Sequence, residues 1–532
     1  MISVSNEWKE LQQQTLLPEM FVEITYKVTE PGIEEHAMVS ATNPETYSNV
    51  EQIVDGTNKT TKSYNTLDYG CWGLDGNGEY FNGTPVNPGY IYSGYSDGNC
   101  VLAVQPTITI SFDERRTYRI PGITITWGDG FNGWATEFVI VASNTNGEVA
   151  RKLVTGNESI TSTIFIDLVD YTQITITVLK WSHPYQRVRC SDIVLGMKNI
   201  YTKDDLLDFT HVENVDLLSA SLPENTITFK LRNDDDRWNP DSPDGMENYL
   251  IEQQEVSVRY GMDVNGTVEW IKGGVYWLSE WNTPSNGMEA DFTAKNLLVF
   301  MEDTYRGARQ GTLYDIAIAA LTQAGLSESQ YHVDEDLQNI TTDFSSDDSD
   351  YRVSEVLQLI AHAGNKVLRQ DRNGVLRLEK WNESYSNYII DEDISYSHPE
   401  YTLNKPLKTV SVGYGSNDDR VALEHAPKGE VQTIDNPLLL TRDDATRVGR
   451  KAMEILKNRK VVSGEYRADV RMDALDNVTV VSKYSTNIIG ITGVEYSMTG
   501  GSFRGKYTGR VVSIELTPVT VYSNEIYSNE IW

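Results

Sequence analysis

Apolar and polar residues alternate along much of this chain with the period of two that half-buried strands require. Residues 21–28 (Phe-Val-Glu-Ile-Thr-Tyr-Lys-Val) read as a first strand. Ile123, Ile125 and Trp127 alternate with Thr124 and Thr126, and Ile174, Ile176 and Val178 with Thr175 and Thr177. The period returns at Ile227, Phe229 and Leu231 and at Val256, Val258 and Tyr260. Gly273-Gly274, between 268–271 and 275–278, predicts a hairpin turn. Further strands are predicted at 410–414, 461–469, 477–483, 488–497 and 506–516.

Four segments switch to the helical period. Ser5 precedes Trp8, Leu11 and Leu16, which predicts a short amphipathic helix that frays without a partner. Thr312, with Asp315 three residues on, caps a helix whose Leu313, Ile316, Ala317, Ala320, Leu321 and Ala324 share a face and which Gly325 ends. A helix over 353–363 gathers Val353, Val356, Leu357 and Ile360 and stops at Gly364, and Asp371-Arg-Asn-Gly374 then turns a hairpin between 366–368 and 375–378. The longest opens at a Thr441/Asp444 capping box and turns Ala445, Val448, Ala452, Ile455 and Leu456 inward.

These changes of texture divide the chain. Residues 1–40 carry the first helix and the first strand of a β-barrel. That strand has no partner in the segment after it, so 41–198, rich in Asn, Gly, Thr and Tyr, is read as an inserted β-sandwich and 199–301 as the rest of the barrel. Residues 302–400 are an α+β middle domain, 401–520 a second barrel with one long helix, and 521–532 a tail in which Tyr-Ser-Asn-Glu-Ile occurs twice. The fold class expected is mainly β and multidomain (α+β overall): two barrels flanking an α+β region, with a jelly-roll-type sandwich inserted in the first.

Composition narrows the function classes. The 532 residues include 77 Asp and Glu against 45 Lys and Arg, a net charge of -32, which repels phosphate backbones and anionic lipid. Sequence-specific nucleic-acid binding is therefore not expected. An apolar content of 39% with 30 Tyr, 12 Phe and 11 Trp is too core-forming for a disordered acidic chain. No segment approaches the roughly 18 apolar residues of a spanning helix, and the first ten residues lack a signal peptide's layout. Cys71, Cys100 and Cys190 have no CxxC spacing and read as buried reduced thiols.

Catalytic patterns lack the context they require. Gly94-Tyr-Ser-Asp-Gly98 spells GxSxG, but a nucleophile elbow needs a helix after the serine and the residues after Ser96 read as β. The seven histidines include no HExxH, and His362, near a helix end, reads as a dipole partner or surface residue. Asp234 to Asp236 with Asn239, Asp241 and Asp244, and Asp75, Asn77 and Glu79, lack the EF-hand spacing and read as solvated turns. No catalytic residue, metal or cofactor is expected, and the chain is read as no enzyme. The sandwich loops carry Trp72, Tyr80, Phe81, Tyr90, Tyr92, Tyr95, Trp134 and Tyr185. Of these, Tyr80, Tyr90, Tyr92, Tyr95 and Trp134 are candidate carbohydrate-binding residues, because sugar C–H faces pack on rings while nearby Asn and Asp bond the hydroxyls. The other reading is packing at the sandwich ends or against a neighbouring subunit.

Segment 212–229, then Arg232-Asn-Asp-Asp-Asp-Arg-Trp-Asn-Pro240, Gly273-Gly-Val-Tyr-Trp-Leu278, Val462-Ser-Gly-Glu-Tyr-Arg-Ala-Asp469 and Asp473-Ala-Leu-Asp-Asn-Val-Thr-Val480 resemble, in that order, tail hub and baseplate (tail-tip) proteins of bacteriophages. Asn43-Pro-Glu-Thr-Tyr47, Val54-Asp-Gly56 and Trp72-Gly-Leu-Asp-Gly76 make the insertion similar to discoidin-like, galactose-binding-type sandwiches. The resemblance implies hub-type barrels in a structural homotrimer that connects the tail tube to the tip and forms part of the channel for DNA and tape measure. The partners it implies are the tail tube or distal tail protein, the tape measure protein, other baseplate or spike proteins and a host surface glycan. Its implied place is the virion tail tip, assembled in the bacterial host cytoplasm. Some relatives continue into a peptidase or lysozyme-like module; none is seen here, so no lytic role is expected. A phage-tail-like bacteriocin would use the same sequence. The alternatives are a secreted carbohydrate-binding protein or glycoside hydrolase, and a peptidoglycan-degrading tail tip.

Overall fold

The computed structural model describes residues 1–14, 19–54, 68–70, 89–128, 132–239, 241–242, 245–283, 287–381, 388–415, 419–482, 485–499 and 502–512. Leu16, Cys71, Trp72, Tyr80, Phe81, the Asp75 to Glu79 alternation, Asp244 and the repeats of 521–532 lie outside them. The described chain is mainly β and multidomain, with four α-helices: α1 (Asn6–Gln12), α2 (Leu313–Gln323), α3 (Val353–Ala363) and α4 (Arg442–Leu456). Among the described residues, no helix is long and apolar enough to cross a membrane.

Thirteen strands make one sheet. Its hydrogen-bonded order is Gly196–Tyr201, Met20–Thr29, Glu255–Val264, Thr267–Asn282, Glu289–Lys295, Thr226–Arg232, Leu206–Asn214, Ser485–Thr499, Ser502–Val511, Lys460–Tyr466 and Glu400–Leu403; Asn477–Ser482 pairs with Ser485–Thr499 and with Ile389–Ile390. The strand sets expected as two barrels therefore meet edge to edge, with Asp208 opposite Thr499 through to Asn214 opposite Gly493. They also share a core: Tyr26, Phe209, Tyr260, Phe292, Tyr466 and Tyr496 belong to one buried apolar cluster. Alternation in the sequence shows which face of a strand is buried, not which remote edge it joins.

The helix α1 holds because it has a partner. Ser5 caps it, accepting from Trp8 N at 3.1 Å, and Trp8 is fully buried in the shared core. Ile2 N donates to Arg471 O and Gln12 Nε2 to Ala468 O, so the N-terminal segment ties down the far end of the chain.

The hairpin expected at Gly273-Gly274 is not there. Thr267–Asn282 is one continuous strand, and the turn lies at Asn265-Gly266, both with positive φ (55° and 86°), the pattern of a two-residue hairpin loop. Gly273 is instead the extra residue of a β-bulge, since Val258 faces Gly274 while Arg259 faces Lys272. The glycines are needed for space. A Cβ on Gly273 would lie 2.6 Å from the Tyr260 ring, and one on Gly274 2.5 Å from that of Tyr276.

The chain leaves this sheet at Thr29 and re-enters at Gly196, which pair with each other. Between them lies a sandwich of a five-stranded sheet (Met38–Ala41, Thr107–Arg116, Tyr171–Trp181, Ala135–Asn144, Gly147–Thr155) and a three-stranded one (Asp192–Val194, Ile120–Thr126, Thr161–Leu168). Met38–Ala41, read from sequence with the first barrel, pairs with Thr107–Arg116 in the sandwich. Trp127, Phe138 and Trp181 are buried in its core in edge-to-face contact. The sandwich is seated on the main sheet: Lys198 N donates to Thr124 Oγ1 at 3.0 Å, and Tyr118 Oη to Tyr249 O at 2.9 Å.

The α+β core gathers α2, α3 and the Val367–Gln370/Leu376–Glu379 hairpin, as expected, but extends beyond residue 400. Leu407, Val410, Val412, Ala445, Val448 and Ala452 are buried in the same cluster, so Leu407–Tyr414 and α4 belong with this core. The amphipathic stripe of α4 is legible in sequence, but the surface it covers is not. Asn365, with φ 52°, and not Gly364 supplies the left-handed residue after α3. His362 is buried, with Nε2 unpartnered and its imidazole pushed below the ordinary value by burial. The capping box of α4 is formed: Thr441 Oγ1 accepts from Asp444 N, and Asp444 Oδ2 from Thr441 N. Thr441→Ala should cost about 1 kcal/mol, read as a lowered denaturation midpoint; Thr441→Ser should restore it.

Candidate functional site

One end of the inserted sandwich presents aromatic rings to solvent. Tyr185 sits in the left-handed region (φ 56°), Tyr69 N donates to its carbonyl at 3.2 Å, and its own N–H donates to Ser96 O at 3.1 Å. These bonds bring Tyr69 (66% exposed), Tyr185 (56%) and Tyr95 (42%) to the same end. The platform beneath them is tied to the core. Trp181 Nε1 donates to Gln186 Oε1 at 3.1 Å, and Gln186 Nε2 donates to Tyr69 O at 2.7 Å. The Arg187 guanidinium lies 4.7 Å from the Tyr95 ring centroid and pairs with Glu45 at 3.1 Å and with buried Asp68 at 3.7 Å. A cation stacked on one side of Tyr95 fixes the ring's plane.

Of the rings singled out from sequence, Tyr95 stands on this surface. Trp134 is half-buried, its indole N–H donating to Asn157 O at 3.0 Å and its ring edge-on to His183. Tyr90 and Tyr92 do not face a ligand surface; both are buried in the sandwich core, and Tyr90 Oη donates to Thr42 O at 2.6 Å. They flank Ile91 in an apolar run, a pattern that favours burial. Tyr69, outside the sequence candidates, and Tyr185, read only as a loop ring, complete the exposed group. Ser96 is buried with its hydroxyl turned onto the His183 and Gln186 carbonyls, at 2.8 and 3.2 Å. Asp235 and Asn239 accept from nearby backbone N–H groups within their turn. Among the described residues, no three His, Cys, Asp or Glu stand close enough to hold a metal.

A second cluster lies where the two strand sets and the α+β core meet. Arg372, in the turn of the 367–379 hairpin, is buried and donates to Val470 O and Met472 O, both at 2.7 Å. Its Nε lies 3.4 Å from Glu213 of the first strand set and 3.6 Å from Asp473 of the second. His211 sits beside them, between the hydroxyls of Tyr260 (2.6 Å) and Tyr276 (2.5 Å) and 3.1 Å from Glu213. Desolvation pushes the Glu213 carboxyl up, but Arg372 and His211 together hold it well below the usual range. Burial first, and then the Glu213 charge, pushes Asp473 well above it. Buried contacts between these groups join three parts of the chain, while Glu213 Oε2 is left without a hydrogen-bond donor.

No known protein family matches the sequence, and neither does any curated protein. Among solved structures, the chain is similar to the 43 kDa tail protein of prophage MuSo2 from Shewanella oneidensis (12% identity over 58% of this chain and 95% of that one, TM-score 0.43). It is also similar to a tail protein from Neisseria meningitidis MC58 (11% identity, 59% and 94% covered, TM-score 0.42). A smaller part is similar to the family 32 CBM from C. perfringens NanJ, solved in complex with galactose (16% identity, 33% and 99% covered, TM-score 0.20).

Proposed function

We propose that this chain is a structural, non-enzymatic component of the tail tip of a phage or phage-tail-like particle. Three copies form a ring that joins the tail tube to the tip and surrounds the channel for DNA and tape measure. The observation that carries this reading is the continuous sheet in which strands from both ends of the chain share one core and are clamped to the α+β core by buried ions. Such a frame resists shear between its parts, as a load-transmitting ring must. The acidic balance, -32 per chain, suits a passage for DNA because phosphate contacts drive non-specific adhesion. Mass measurement of the native assembly is the test: the expected species is three times the 60.0 kDa chain, and a lone chain at working concentration overturns the ring.

In this reading the sandwich projects from the frame and uses Tyr69, Tyr95 and Tyr185 to meet a host-surface glycan. The full-length chain should bind glycans on an array, and Tyr95→Ala combined with Tyr185→Ala should weaken that binding by about tenfold or more, the equivalent of about 1.4 kcal/mol. Unchanged binding by the double variant rules these rings out.

A further inference from the structure

Glu213 Oε1 and Asp473 Oδ1 flank the same Arg372 Nε, at 3.4 and 3.6 Å, and two ionised carboxylates side by side offer only acceptors. Glu213 is buried and its Oε2 has no donor, while Oε1 is held by His211 and Arg372. Asp473 is less well supported: Oδ1 lies 3.6 Å from Arg372 Nε, and Oδ2 lies 3.7 Å from Arg369 Nη1, a group shared with Glu379. Its side chain keeps 23% exposure, which leaves it a route to solvent.

The other ionisable groups packed here do not supply the missing donor. Tyr260 and Tyr276 bond His211, and Tyr496 donates to Asp469 O and Met472 O. Asp469 pairs with Arg471, Asp476 with the Met1 amino group, and Asp371 with Arg377.

We propose that Glu213 and Asp473 share one proton, carried by Asp473 and donated to Glu213 Oε2, and that this proton latches the Arg372 turn between the two strand sets. With it in place, the guanidiniums of Arg369 and Arg372 face the carboxylates Glu213 and Glu379 in balance. Its loss adds an anion beside Glu213 and leaves Oε2 without a donor. Asp473 is raised in the closed junction, so the closed form keeps a proton that an opened one releases. Closure is therefore strongest on the acid side, and opening grows by up to about tenfold per pH unit above the ordinary Asp range, until the closed form loses the proton too. Glu213, held low, acts in the opposite sense: its contribution is lost as pH falls below the ordinary Glu range. The latch is thus tightest in mild acid.

Hydrogen exchange of residues 367–378 in the full chain, compared with Asp473→Asn at each pH, cancels the intrinsic pH dependence of exchange. The asparagine amide donates to Glu213 at every pH. Protection in the wild type relative to the variant should fall by about tenfold or more between about pH 5 and about pH 8; a constant ratio overturns the proposal. Infrared spectroscopy of the wild type needs no variant. A protonated carboxyl band should persist at about pH 6, where solvent-exposed acids are ionised, and its absence at that pH overturns the shared proton.

Discussion

Arg372→Met should destabilise the fold by about 3–5 kcal/mol, the usual cost of breaking a buried charge cluster from one side. Methionine fills similar space but donates nothing. It leaves the Val470 and Met472 carbonyls without their 2.7 Å donors and Glu213 buried without its guanidinium. Arg372→Lys should rescue little, because one ammonium cannot reproduce the planar fork that reaches both carbonyls. Chemical denaturation of the purified chain reads the effect. A loss within about 0.5 kcal/mol, the range of ordinary surface substitutions, would show that the clamp is not what joins the strand sets.

Trp8→Ala should cost a comparable amount, about 3–5 kcal/mol for a fully buried Trp, with a localised signature. Hydrogen exchange and protease sensitivity should rise first over residues 1–14, where α1 has seven residues and cannot stand alone. They should rise next around 467–472, whose backbone accepts from Ile2 and Gln12. Trp8→Phe should cost far less, since the indole N–H is buried without an acceptor and no hydrogen bond is lost. If the alanine variant exchanged uniformly like the wild type, the N-terminal segment would not be what staples the far end of the chain.

What the sequence made legible was local. The caps at Ser5, Thr312 and Thr441, the face of α3 and the Asp371 to Gly374 turn each depend on residues a few positions apart, and all are where the pattern put them. Mistakes arose where one signal has two physical meanings. Adjacent glycines mark either a turn or a close approach, and at Gly273-Gly274 the tyrosine rings decide for the second, while Asn265-Gly266 carried the stronger turn chemistry. Rings in a Tyr-rich loop mark either a surface or a core end, and Tyr90 and Tyr92 went to the core. The junction was beyond reach for another reason. Glu213, Arg372 and Asp473 are separated by more than a hundred residues at each step, and nothing near any of them in the chain announces the other two.

The crossing at Thr29 and Gly196 also bears on how such a chain can change over time. Neighbouring strands bring paired Cα atoms to about 5 Å, so the whole 30–195 segment is spliced into the frame through a gap that an ordinary two-residue turn could close. Any cassette whose own ends lie equally near could be exchanged there while the ladder on either side keeps its register, so the inserted part can change without redesign of the scaffold.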